Sequence, residues 1–97
     1  MKLFLVIYDV AFDEDVMEGI ETSSVTGFTK WDRVLGKGPH SDPRMDDAVW
    51  PGFNSVVAVA VDEDKEKVVL GALQAIARRL EGAGIKIYEL PVRQVGV

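Results

Sequence analysis

A glycine-lysine-glycine run, Gly36-Lys37-Gly38, is the first stretch of this sequence whose residue types could do chemistry. Residues without a Cβ let backbone N–H groups approach an anionic ligand, and Lys37 adds a positive charge. The run is not a P-loop, which needs G-x-x-x-x-G-K-S/T between a strand and a helix. The glycines could equally serve only to turn the chain. Thr29 could offer its hydroxyl to a ligand, or be a β-former doing its ordinary work in a strand.

His40 is the sole histidine. With Asp42, Asp46 and Asp47 it offers imidazole and carboxylate groups of the kind a divalent metal takes. A solvated polar loop would contain the same residues, and one histidine lacks a spaced partner. His40-Ser41-Asp42 is not a catalytic triad, because adjacent residues do not converge as nucleophile, base and orienter. Arg33, Lys37 and Arg44 are interspersed with Asp32, Asp42, Asp46 and Asp47, a mixture suited to switchable ion pairs or simply to solubility. Trp50, between Val49 and Phe53, is expected to bury and anchor the return of the chain; contact with a partner is its alternative role.

Nearly all of these residues fall in one excursion, Gly36 to Asn54, between two strand-like stretches. Ordinary connections run to about 4–6 residues, and longer ones are usually functional or disordered. Gly36, Gly38, Pro39, Pro43, Pro51 and Gly52 forbid a long regular element within it. The remainder of the chain reads as a scaffold that holds this loop.

That scaffold has a clear pattern. Lys2 to Val10 and Ser55 to Val61 are β-branched and apolar, and Val25 to Leu35 alternates imperfectly, so three strands are expected there. Ile85 to Val92 makes a fourth, with Pro91 marking an edge or an end. Asp13-Glu14-Asp15 and Asp62-Glu63-Asp64 each suit a helix N-terminus. Val16, Met17 and Ile20 then share one helical face, as do Val69, Leu73, Ile76 and Leu80. Gly82 or Gly84 ends the second helix. The order βαββαβ predicts an α+β, ferredoxin-like fold, with a four-stranded antiparallel sheet and both helices on one face.

The chain of 97 residues is expected to form a single domain. Its net charge of −5 argues against general affinity for nucleic acid or anionic membrane, which need a basic patch. There is no cysteine, which excludes disulfides, thiolate metal sites and cysteine nucleophiles and fits a cytoplasmic protein. The apolar run at the N-terminus is short, is interrupted by Asp9 and lacks a small-residue cleavage site. It is expected to be a buried strand and not a leader or a membrane span.

The first and third strands are apolar on both faces: Leu3, Leu5 and Ile7 against Phe4 and Val6, and Val57, Val59 and Val61 against Val56, Ala58 and Ala60. Two helices cover only one face. The other would stand in water in a monomer, so oligomerisation through the sheet is expected.

The segment TGFTKWDRVLGKG resembles the PII signalling family, whose members carry TGxT before a strand ending in VxGxG. The matching residues are Thr26, Gly27 and Thr29, then Val34, Gly36 and Gly38, with one extra residue between the halves. Leu90, Pro91, Val92 and Val95 resemble the family's last strand. In the segment EGAGIKIY, Gly82, Gly84 and Lys86 stand where that family reads TGxxGDGKIF and uses backbone and lysine contacts to phosphates. The loop holds no tyrosine for the family's modification.

The resemblance implies a homotrimer with its sheets inward and a small-molecule site between subunits, often for an adenine nucleotide. The ligand residues it implies here are Thr29, Gly36, Lys37, Gly38, Gly84 and Lys86. It implies that the 36–54 loop contacts a partner, a transporter or an enzyme, through His40, Asp42, Arg44, Asp46, Asp47 and Trp50. The expectation is a non-enzymatic regulatory protein. A divalent-metal-binding trimer of the CutA type, with His40 as ligand, is the alternative.

Overall fold

Apolar residues at every second position of two long strands give the molecule its organising sheet. A computed structural model describes residues 1–25, 27–40 and 42–96. Thr26, the first residue of the TGxT motif, lies outside them. The elements are β1 (Lys2–Asp9), α1 (Asp13–Glu21), β2 (Thr29–Val34), β3 (Asn54–Val61), α2 (Glu66–Arg79) and β4 (Lys86–Pro91). The strands form one antiparallel sheet in the order β2-β3-β1-β4. This is the ferredoxin-like arrangement expected from the sequence.

Alternation decides which face is which. Phe4, Val6 and Tyr8 of β1 and Val57, Val59 and Val61 of β3 are buried. Val16 and Ile20 of α1 and Val69, Leu73 and Ile76 of α2 complete the same core. Both helices therefore cover one face of the sheet. They meet closely at Gly19, where a Cβ would stand 2.4 Å from Ile76 Cδ1.

Several boundaries differ from the reading of the sequence. β2 begins at Thr29 and not at Val25, and β4 runs only from Lys86 to Pro91. The acidic segment Asp62-Glu63-Asp64 does not open α2 directly: Glu63–Lys65 is a 3-10 turn and α2 begins at Glu66. No side chain caps either turn, so the acidic residues act there by charge alone.

β2 also carries a bulge. Trp31 pairs with Val56 and Val34 with Asn54, so Asp32 and Arg33 together face Ser55. The buried Ser55 hydroxyl donates to the Asp32 carbonyl at 2.8 Å, satisfying a group that the interrupted ladder leaves free.

A polar cluster closes the core at the end of β1. The buried Tyr8 hydroxyl donates to Asp13 Oδ1 at 2.6 Å, and Lys30 Nζ reaches the same oxygen at 2.7 Å. Burial foremost, then the Asp13 hydrogen bond, pushes the Tyr8 pKa well up. For Asp13, burial acts to raise its pKa, but the hydrogen bonds from Lys30 and Tyr8 outweigh it and the net direction is down. The bond to Asp13 raises the pKa of Lys30. The cluster pins the start of α1 to β1 and β2.

Candidate functional site

The outer face of the sheet ends in a cavity because the long loop folds back over it. Gly36 and Arg44 pair as an isolated antiparallel bridge, with Gly36 N–H donating to Arg44 O at 2.9 Å and Arg44 N–H to Gly36 O at 2.6 Å. Beneath the fold-back is a cavity of about 480 Å³. Its floor includes Ile7, Val34, Asn54 and Val56 from the outer face, and its walls include Gly36, Lys37, Gly38, Arg44, Gly84 and Lys86. A second cavity of about 460 Å³ shares Gly38, Arg44, Gly84 and Lys86 and extends past His40 to the end of α2. Volumes of this size accommodate a metabolite.

The sequence separates Gly36-Lys37-Gly38 from Gly84 and Lys86 by nearly half the chain, and the β1–β4 pairing brings them together. Ile7 opposes Lys86 in that ladder. Gly84 has φ +78°, a left-handed conformation open to glycine, which lets the α2–β4 turn line the cavity with backbone. Lys37, Arg44 and Lys86 concentrate positive charge around a hollow in a chain of net charge −5. Asn54 Oδ1 is buried at this cavity and has no hydrogen-bond partner among the described residues, leaving an acceptor for a donor on an occupant.

The other candidates fall elsewhere. Thr29 stands exposed on the outer face opposite Ala58 and lines neither cavity. His40 lines the second cavity. The described residues hold no group of three or more His, Cys, Asp or Glu side chains able to bind a metal, so His40 has no ligand set with Asp42, Asp46 and Asp47. Asp42 is exposed. Arg44, grouped by the sequence reading with the loop's outward residues, turns inward to the cavities.

The distal part of the loop is a small hydrogen-bonded turn. Met45 and Asp47 N–H donate to Trp50 O, and Asp46 N–H to Gly52 O. The Asp47 carboxylate accepts from Val49 and Trp50 N–H at 3.0 and 2.6 Å. Asp46 pairs with Arg33 at 3.1 Å, and the Arg33 guanidinium lies 4.6 Å from the Phe53 ring centre. Trp50 does not bury as expected; it is 39% exposed and Val49 75%. Backbone bonds shape this turn, and Phe53, whose carbonyl accepts from Val10 N–H, ties it to the body. Sequence reasoning missed Asp9, whose only signal was a charge interrupting an apolar strand. Its Oδ2 accepts from Arg44 Nε at 3.0 Å.

The fold is a ferredoxin-like sheet with a long β2–β3 loop folded over a cavity lined by Lys37, Arg44 and Lys86. The chain belongs to the nitrogen regulatory protein P-II family, whose profile matches residues 1–97. Solved structures agree on the fold. CPII of Thiomonas intermedia K12, bound to ADP and bicarbonate, superposes with a TM-score of 0.67 at 19% identity, covering 94% of this chain and 86% of that one. A second CPII structure, bound to ADP, AMP and bicarbonate, gives 0.65 at 19%, covering 96% and 92%. A candidate PII-like signalling protein of Thermus thermophilus gives 0.65 at 19%, covering 92% and 83%. No curated protein matches the sequence. Among the described residues, no helix is long and apolar enough to cross a membrane.

Proposed function

We propose that this protein is a non-enzymatic, PII-type regulator that binds an anionic metabolite, with an adenine nucleotide such as ADP or AMP as the favoured class. The observation that carries the reading is the convergence of Gly36-Lys37-Gly38, Gly84 and Lys86 on one cavity with Arg44. Closely approaching backbone and three cationic side chains suit phosphate oxygens. The ADP and AMP bound by the structurally similar CPII fit this chemistry.

The working unit in this reading is a homotrimer. Leu3, Leu5, Ile7, Val56, Ala58 and Ala60 alternate onto the uncovered face, joined by Trp31, Tyr88 and Leu90, which are 50, 50 and 39% exposed. An apolar face of that extent supports self-association. Thr29, away from the cavities of its own chain, would contribute only across the interface. The distal loop, with Asp46, Asp47 and Trp50, would contact a transporter or enzyme, and ligand binding would bias it by differing affinity for two loop conformations.

Calorimetric titration of the wild type with ADP, AMP and bicarbonate tests the ligand reading. Saturable nucleotide binding, weakened at least about tenfold by K37A/K86A, is expected for the loss of two charge-assisted contacts. Absence of heat and of thermal shift with all three ligands would overturn it.

A further inference from the structure

Arg44 lines both cavities, yet its guanidinium is already engaged. Its Nε lies 3.0 Å from Asp9 Oδ2, with both side chains about a quarter exposed. Asp9 is itself fixed, because its other oxygen accepts from Ala11 N–H at 3.0 Å in the turn that follows β1. Asp9 sits opposite Asn54 in the β1–β3 ladder, on the outer face at the edge of the cavity floor. A carboxylate is thus held beside a cationic cavity, on the residue whose backbone closes the loop onto Gly36.

We propose that Arg44 reads the anionic oxygens of the cavity's ligand, and that Asp9 is an intramolecular competitor for it. The inference rests on the anion-binding reading above. The Asp9 carboxylate occupies the position at the guanidinium that a ligand carboxylate or phosphate would take. An anion that takes the guanidinium side-on, through Nε–H and a neighbouring Nη–H, must displace it, since one Nε–H cannot serve both acceptors at full strength. Displacement removes a tie between β1 and the loop. The distal turn, Met45 to Gly52, continues directly from Arg44, and among the described residues its Asp46 pairs with Arg33 of β2, whose guanidinium also lies over the Phe53 ring. Ligand binding and loop release are in this way two sides of one exchange of partners, and the ligand's differential affinity for the two states is located at a single residue.

The test is a double-mutant cycle of D9N and R44Q, titrated calorimetrically with ADP, inorganic phosphate and bicarbonate, together with amide exchange at Met45 and Asp46. D9N keeps an acceptor for Ala11 N–H and replaces the anionic oxygen that faces Arg44 with an uncharged amide. It should bind the anion about three- to tenfold more tightly than the wild type. Its ligand-free loop amides should exchange as fast as those of the ligand-bound wild type. Tightening with phosphate as well as ADP assigns Arg44 to a phosphate group, and tightening with bicarbonate alone assigns it to a carboxylate. R44Q should bind more weakly, and D9N should then have no further effect. Unchanged affinity in D9N, with wild-type binding intact, would overturn the competition and leave the ligand reading standing. The same D9N tightening in the R44Q background would also overturn it, because Asp9 would then act by simple repulsion. No binding of any probe to either wild type or D9N would overturn both readings together.

Discussion

Tyr8 and Asp9 are neighbours in β1 whose side chains point to opposite faces of the sheet, and the two faces treat polar groups differently. On the inner face Tyr8 is buried and joined to Asp13 and Lys30 by short contacts that pin α1 to the sheet. On the outer face Asp9 holds one arginine from a long loop beside a cavity. The first cluster shares its partners within regular elements, and breaking it costs stability. The second joins a fixed strand end to a segment shaped mainly by turns, and in the proposed exchange its breakage releases a loop. Period-two alternation within one strand thus places a structural lock and a proposed exchangeable contact one residue apart.

The inner face should give the largest effects. Phe4→Ala removes a fully buried ring and should cost about 3–5 kcal/mol in denaturant unfolding. A loss below about 1 kcal/mol would show that the core is not where alternation puts it. Gly19→Ala should also destabilise, by about 1–2 kcal/mol, although alanine is the better helix former. The added methyl would stand 2.4 and 2.5 Å from Ile76 Cδ1 and Cγ1, and a side chain only 4% exposed has little room to give way. Increased stability would mean that the α1–α2 contact is looser than described.

Smaller effects follow for the polar lock. Tyr8→Phe leaves the ring and deletes one hydrogen bond to a carboxylate, worth about 1–2 kcal/mol. The pH dependence has two limbs. Asp13 has its pKa below the ordinary 3.8 in the fold, so its contribution is present above that value and lost as pH falls through the lowered one. Lys30 and Tyr8 have theirs raised above 10.5 and 10.0, so their contributions are present below those values and lost as pH rises through the raised ones. D13N should flatten the acid limb of a stability–pH curve. An unchanged limb would separate the cluster from acid stability.

Much of this was legible in the sequence because it depends on local periodicity. The apolar stripes of α1 and α2, the two-faced apolar strands and the βαββαβ order all follow from residue spacing. Gly36-Lys37-Gly38 was legible from its residue types and Gly84 and Lys86 through family resemblance, and the sheet register brings them together. The Asp9–Arg44 contact was not legible, because it joins residues 35 positions apart through a loop fold-back that no periodicity encodes. Trp50 misled for a related reason. Its apolar neighbours suggested burial, but Asp47 and the backbone form a self-contained turn that leaves the indole partly outside. The β2 bulge was not legible, because it shows only in the pairing register of β2 against β3.

The contrast between a sealed inner face and an outer face left apolar and uncovered is tested most directly by sedimentation equilibrium of the wild type at micromolar concentration, with L5K in parallel. The proposed assembly predicts three times the chain mass of 10.7 kDa for the wild type and a folded species of the single-chain mass for L5K, which puts a charge in the middle of the outer face. A wild type that sediments as a single chain of 10.7 kDa would contradict it.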